Sequence, residues 1–228
     1  MSCISKSKIA FYIFLCYNTL EKKGGSLMNI KIETQSLHDA VMCMQANHKE
    51  THRAETAVLI LPGGGHRVSP TRLTEVNWSD YSDNLWVAGT RGDPAYTREE
   101  ILEYVTKNGK LPNSLETQLF AQHTPDQAYW AVDLLMRNIH INHLIISTAS
   151  YHLVRGVLTF VKMWEKHGDA RKLSIGIIPT SDPSPEVVAT PSATSLTLEE
   201  ELARIELYQE KGDVASASEF YEFMSKNR

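Results

Sequence analysis

His152 and Arg155 stand three residues apart in the run Tyr151-His152-Leu153-Val154-Arg155. On a helix that spacing sets two side chains next to each other. Histidine changes charge near neutral pH and serves as an acid or base. Arginine offers a planar charged fork that suits carboxylate and phosphate. The residues before the pair, His143-Leu144-Ile145-Ile146-Ser147, read as a strand, and 150–167 read as a long helix ended near Gly168. The pair therefore falls in the first turns of a helix that leaves a strand. Such an N-terminus attracts anions, and basic side chains are otherwise mildly unfavourable there. Two readings stay open: an anion site with His152 as acid or base, or a surface histidine beside an arginine clamped onto Asp126 or another carboxylate.

Three more strand ends carry candidate chemistry. Gly63, Gly64 and Gly65 follow the first apolar run and can aim backbone N–H groups at an anion, or merely turn the chain. Gly89, Thr90 and Arg91 follow the second run, where Gly89 also reads as a plain strand end. His123, Thr124, Pro125, Asp126 and Gln127 follow the third. There Thr124 reads as a helix N-cap and Asp126 as a dipole partner, with Asp126 also placed to orient His152 or to bind a ligand hydroxyl. Ser150 and Tyr151 complete the fourth loop. In open α/β sheets ligands bind beyond the carboxyl ends of the strands, where all four loops converge.

The elements that must position these residues follow from apolar patterning. Strands are predicted at 57–61, 85–88, 117–122, 143–147 and 173–178, the last stopped by Pro179. Helices are predicted at 35–48, 98–107 (with Thr97 and Glu100 as a capping box), 125–138, 150–167, 197–212 and 214–225, and a surface loop at 180–196. On helix 150–167, Leu153, Val157, Phe160, Val161 and Trp164 form the core face. His152, Arg155, Thr159, Lys162 and Lys166 form a polar stripe. The alternation predicts a three-layer αβα sandwich around a mainly parallel sheet of about five strands.

Acidic residues outnumber basic ones, 27 to 23, so the chain lacks the basic footprint of a nucleic-acid binder. Cys3, Cys16 and Cys43 form no CxxC pair and no metal spacing with histidine. There is no G-x-S-x-G, dinucleotide fingerprint or P-loop, which weakens hydrolase, dehydrogenase and metalloenzyme readings.

Residues 1–27 open with Lys6 and Lys8 and a short apolar run from Ile9, too short for an ordinary span. Lys23-Gly24-Gly25 can be encoded by a stretch containing AAGGAGG, a bacterial ribosome-binding sequence, with Met28 following at start-codon spacing. The expectation is that Met28 begins a cytoplasmic protein whose single domain spans 28–228. The alternatives are a disordered tail, or a genuine membrane anchor through residues 9–20.

Several blocks resemble the YdcF/SanA-like family. Ile145 to Gly156 is similar to its strand–helix motif, roughly V-T-S-x-Y-H-x-x-R-A. Thr124-Pro125-Asp126-Gln127-Ala128 resembles T-x-E-N-A, Leu61 to Gly65 resembles the L-G-G-G turn, and Val87-Ala88-Gly89-Thr90 resembles V-S-G-G. Order and spacing fit over residues 57–178. Asp126, Gln127, Ala88 and Thr90 depart from the pattern, as does Gln122-His123-Thr124 where E-x-x-S-x-N-T is usual, which marks a divergent member. The resemblance implies a Rossmann-like fold and a nucleotide-like ligand, S-adenosylmethionine in some members. It also implies envelope-related roles in others. Together these readings predict a protein that acts on a small anionic or nucleotide-type molecule. The alternative is a binding or regulatory protein of the same fold that does no chemistry.

Overall fold

The computed structural model describes residues 27–46, 52–61, 76–89, 97–108, 111–118, 120–121, 123–180 and 198–227. Five parallel strands, β1 (Thr56–Ile60), β2 (Asn84–Ala88), β3 (Ser114–Gln118), β4 (His143–Ala149) and β5 (Ser174–Thr180), form one sheet in the order β3-β2-β1-β4-β5. The chain winds outward from β1 to β3, then crosses back to lay β4 against the other side of β1. This Rossmann-like order reverses direction between β1 and β4, so a crevice opens there at the carboxyl ends.

Both faces of β1 are buried, as its unbroken apolar run requires. Ala57, Leu59 and Leu61 face one core, shared with α1 (Leu27–Met42), α3 (Thr124–Arg137), α4 (Ser150–His167), α5 (Leu198–Glu210) and α6 (Ala217–Lys226). Val58 and Ile60 face the other, against α2 (Arg98–Asn108) and the segment holding Val76 and Trp78. Helices on both faces make the expected three layers. The expected core face of α4 is buried throughout. Gly156 lets α4 approach the end of β1, since an added Cβ would stand 3.0 Å from Leu61 Cδ1.

Two local devices match the sequence expectation. The Thr97 hydroxyl accepts from Glu100 N–H at 3.2 Å while Glu100 accepts from Thr97 N–H at 2.7 Å, a reciprocal capping box. Gly212, at φ 76°, breaks the chain between the two closing helices.

Three expectations are corrected. The third strand runs from Ser114 to Gln118, three residues earlier than the apolar pattern indicates. As an edge strand it buries only Leu115, and Phe120, which attracted the later placement, is 73% exposed. The last strand passes through Pro179 to Thr180. Proline is tolerated because β5 is an edge, where a missing N–H can face away from the ladder. Finally, α1 ends at Met42, and the chain beyond it pairs with β5: Ala46 N–H donates to Ile177 O and Ile177 N–H to Met44 O, both at 2.9 Å. The readings of residues 1–26 and of the loop at 181–196 lie outside the described residues. Among those described, no helix is long and apolar enough to cross a membrane.

Candidate functional site

The carboxyl end of β4 leads straight into α4. Ala149 occupies the N-cap position and, among the described residues, no side chain caps the helix. Ser150 spends its hydroxyl elsewhere, donating to Thr180 O at 3.1 Å across the β4–β5 seam. The first-turn N–H groups of α4, with the positive end of its dipole, therefore lie at the switch point without a side-chain cap from any described residue.

His152 and Arg155 are adjacent, as their spacing predicts, but neither rides on an exposed stripe. His152 is 3% exposed and Thr159 is also buried. Arg155 binds three elements at once: Nε donates to Glu201 Oε1 at 2.7 Å, Nη1 to Thr124 Oγ1 at 3.2 Å, and Nη2 to His152 Nδ1 at 2.9 Å. Its guanidinium also lies 5.7 Å from the centre of the Tyr208 ring. Glu201 is 1% exposed, and its Oε1 stands 3.5 Å from His152 Nδ1. Burial alone would raise the Glu201 carboxyl, but the bonds and charges of His152 and Arg155 outweigh it and hold the group below its ordinary range. Arg155 is thus a clamp that ties α4 to the first turn of α5 and to α3. Of the two readings open from sequence, the carboxylate clamp is present, with Glu201 as the carboxylate.

Other expected residues are placed less centrally. The N-cap of α3 is His123, whose ring accepts from Asp126 N–H. Thr124 is one residue inside, which frees its hydroxyl for Arg155. Asp126 sets its carboxylate 3.3 Å from His123 Nδ1, while the carboxylate at His152 is that of Glu201. Gln127 is buried beside Gly89. Gly89 has φ 50°, and an added Cβ would lie 2.7 Å from Gln127 Nε2, so geometry alone demands glycine there. Tyr151 is half-buried, its ring 6.4 Å from that of His152. Gly63, Gly64, Gly65, Thr90 and Arg91 lie outside the described residues.

Sequence reasoning missed Glu201. Its neighbours Glu199 and Glu200 make the run look like an acidic first turn favoured by the helix dipole, and Glu201 lies 46 residues from its arginine. A faint signal exists. Glu201 is followed by Ile205 and Tyr208 at helical spacing, so it belongs to the face that packs inward.

The same end of the sheet holds buried polar atoms with no hydrogen-bond partner among the described residues: Thr148 Oγ1, Thr180 Oγ1, Gln127 Oε1 and Glu201 Oε2. Each such atom costs about 1–3 kcal/mol if it stays unpaired. No group of three or more His, Cys, Asp or Glu among the described residues could hold a metal ion. Comparison with known proteins returns no match, whether to a family model, a curated protein or a solved structure.

Proposed function

We propose that this chain binds a small anionic or nucleotide-type molecule at the carboxyl end of the sheet, between β1 and β4, and acts on it as an enzyme. The observation that carries this reading is the N-terminus of α4 at the switch point, which no described side chain caps, with His152 in its first turn. Helix N–H groups and the dipole favour an anion there. The buried hydroxyls of Thr148 and Thr180 and the Gln127 amide oxygen supply polar atoms at the same edge for the rest of the ligand. The glycines at 63–65 add backbone donors on the sequence reading, and the resemblance to the YdcF/SanA-like family adds S-adenosylmethionine to the ligands worth testing.

A non-catalytic binding or regulatory protein is the second reading, favoured by one contact. Glu201 already neutralises Arg155, which leaves the site less positive than a free arginine would make it.

The test is thermal unfolding with inorganic phosphate, nucleotides, sugar phosphates and S-adenosylmethionine. A ligand at a hundred times its Kd should stabilise the fold by about 2.7 kcal/mol. The glycine turn sharpens the result, because Gly64→Val should weaken that ligand more than it lowers Tm. If none of these compounds raises Tm, the reading fails. If His152→Asn abolishes turnover and spares affinity, the enzyme reading holds over the regulatory one.

A further inference from the structure

Gly176 lies on β5 beneath two groups from other parts of the chain. A Cβ placed there would stand 3.2 Å from the Ala46 methyl and 3.3 Å from His143 Nε2. The missing side chain is therefore a slot: the His143 imidazole reaches into it from β4, and Ala46 closes over the same spot. Register agrees, since His143 pairs with Ser174, two residues before Gly176 and on the same face. Ala46 packs against the core on that face. His143 Nδ1 is hydrogen-bonded to Ser174 Oγ. Nε2 is shut off from solvent and has no hydrogen-bond partner among the described residues. A cationic imidazole carries a proton on both nitrogens. Whichever way the Ser174 hydroxyl points, the charged ring would set an N–H against apolar cover at Nε2, which is unfavourable. None of the described charges pairs with it. Thr56, its register partner on β1, is buried and donates to the carbonyl of exposed His52 at 2.8 Å. At the adjoining strand entries Glu55 accepts from Asn142 Nδ2 at 2.7 Å, and Arg53 pairs with Asp83. Among the other elements on this face, Asp80 accepts from Asn77 Nδ2, and Glu103 and Lys107 of α2 bind each other. On residues 43–46 the one titratable side chain, Cys43, is exposed. Burial accordingly holds the imidazole below its ordinary 6.5.

The two covers over Nε2 differ in strength. β5 holds to β4 along all seven residues of β4. Residues 44–46 form a strap held to β5 by two backbone bonds, Ala46 N–H to Ile177 O and Ile177 N–H to Met44 O. The strap is the weaker cover and gives way first. From this geometry we infer that His143 is an acid-operated latch: neutral, it lies in the Gly176 slot under a closed strap, and protonated, it drives residues 44–46 off β5. Mild acid thereby unties the end of α1 from the edge of the sheet. With the strap open the ring titrates near 6.5, and with the strap closed it titrates lower. Closure is complete above pH 6.5. It weakens about tenfold per unit of pH below that, until the closed-state value is reached.

Amide hydrogen exchange of the full chain tests the latch, with rates expressed as protection factors so that the intrinsic pH dependence of exchange drops out. Protection of the Ala46 and Ile177 amides should lie well below that of the β1–β4 amides, the mark of a local opening. Between pH 7.5 and 5.5 it should fall about tenfold. In His143→Gln, neutral throughout, that fall should shrink to less than about twofold. Wild-type spectra supply a second measurement that needs no variant: the His143 ring signals and the Ala46 amide should titrate with one shared midpoint below pH 6.5. Strap amides as well protected as those of β1 and β4 would mean that the strap opens only with the whole fold, and would overturn the latch. So would a wild-type protection that does not change with pH, an equal fall in His143→Gln, or separate midpoints for the ring and the Ala46 amide.

Discussion

Arg53 and Arg155 mark opposite ends of the sheet, and each ties elements that the chain leaves far apart. Arg53 stands at the amino end. It bonds Asp83 and the Ser79 carbonyl, stitching the entries of β1 and β2, with the two charged side chains 37% and 21% exposed. Arg155 stands at the carboxyl end, 14% exposed, facing a carboxylate 1% exposed and holding three helices. The two pairs look alike on paper and differ in what replaces them when broken. Water can solvate Asp83 once Arg53 is gone. It cannot reach Glu201, so the loss of Arg155 leaves an uncompensated buried charge. An ion pair therefore matters here according to how far its surviving partner is from solvent, not according to bond length.

Direct removal should separate the ends most. Arg155→Met is expected to cost about 3 kcal/mol or more, a fall in Tm of roughly 6–12 °C for a chain of this size. Arg53→Met is expected to cost no more than about 1 kcal/mol. Chemical denaturation of the two variants checks this, and comparable losses would erase the distinction.

Acid should separate them next, in two windows. Burial lowers the pKa of His143, at the amino end of β4, from its ordinary 6.5. Its contribution is complete above pH 6.5 and is lost as pH falls through the lower folded value, because the unfolded chain takes up the proton first. Glu201 is also lowered, from 4.5, so its contribution is complete above that value and is lost further into acid. Stability measured against pH should lose its upper acid slope in His143→Asn. It should lose part of its lower slope in Glu201→Gln, the remainder including Glu219, which the Lys162 bond and the Ser216 contacts hold down against burial.

Salt should have the smallest effect. Raising ionic strength to about 0.5 M shortens the screening length below 10 Å and weakens exposed pairs first. The stability difference between wild type and Arg53→Met should shrink, while that for Arg155→Met stays within error.

Much of this architecture was legible because the strands that flank the switch point are apolar on both faces. Val58 and Ile60 share no periodic contrast with Ala57 and Leu59, and that very lack marks a central strand. The edge strand was misplaced for the opposite reason: only Leu115 of β3 is buried, so its neighbours carry no pattern to read. At the site, the pairing of His152 with Arg155 followed from helical spacing, which is local. Glu201 did not, since its partnership is set by how α5 docks on α4, a tertiary fact; helical spacing with Ile205 and Tyr208 turns Glu201 inward but does not name its partner. Thr124 was assigned a cap because threonine suits one, and a shift of a single residue gave that role to His123.

The short pairing of residues 44–46 with Ile177 has a consequence beyond the fold. It occupies the outer rim of β5 with the chain's own backbone, and Pro179, two residues on, brings no N–H to that rim. A bare rim would invite another molecule to add a strand. Here one copy of the chain has little there to offer another, so at the β5 edge resistance to strand-by-strand clumping rests on a three-residue clasp. Loosening that clasp would surrender it while leaving every residue of the site in place.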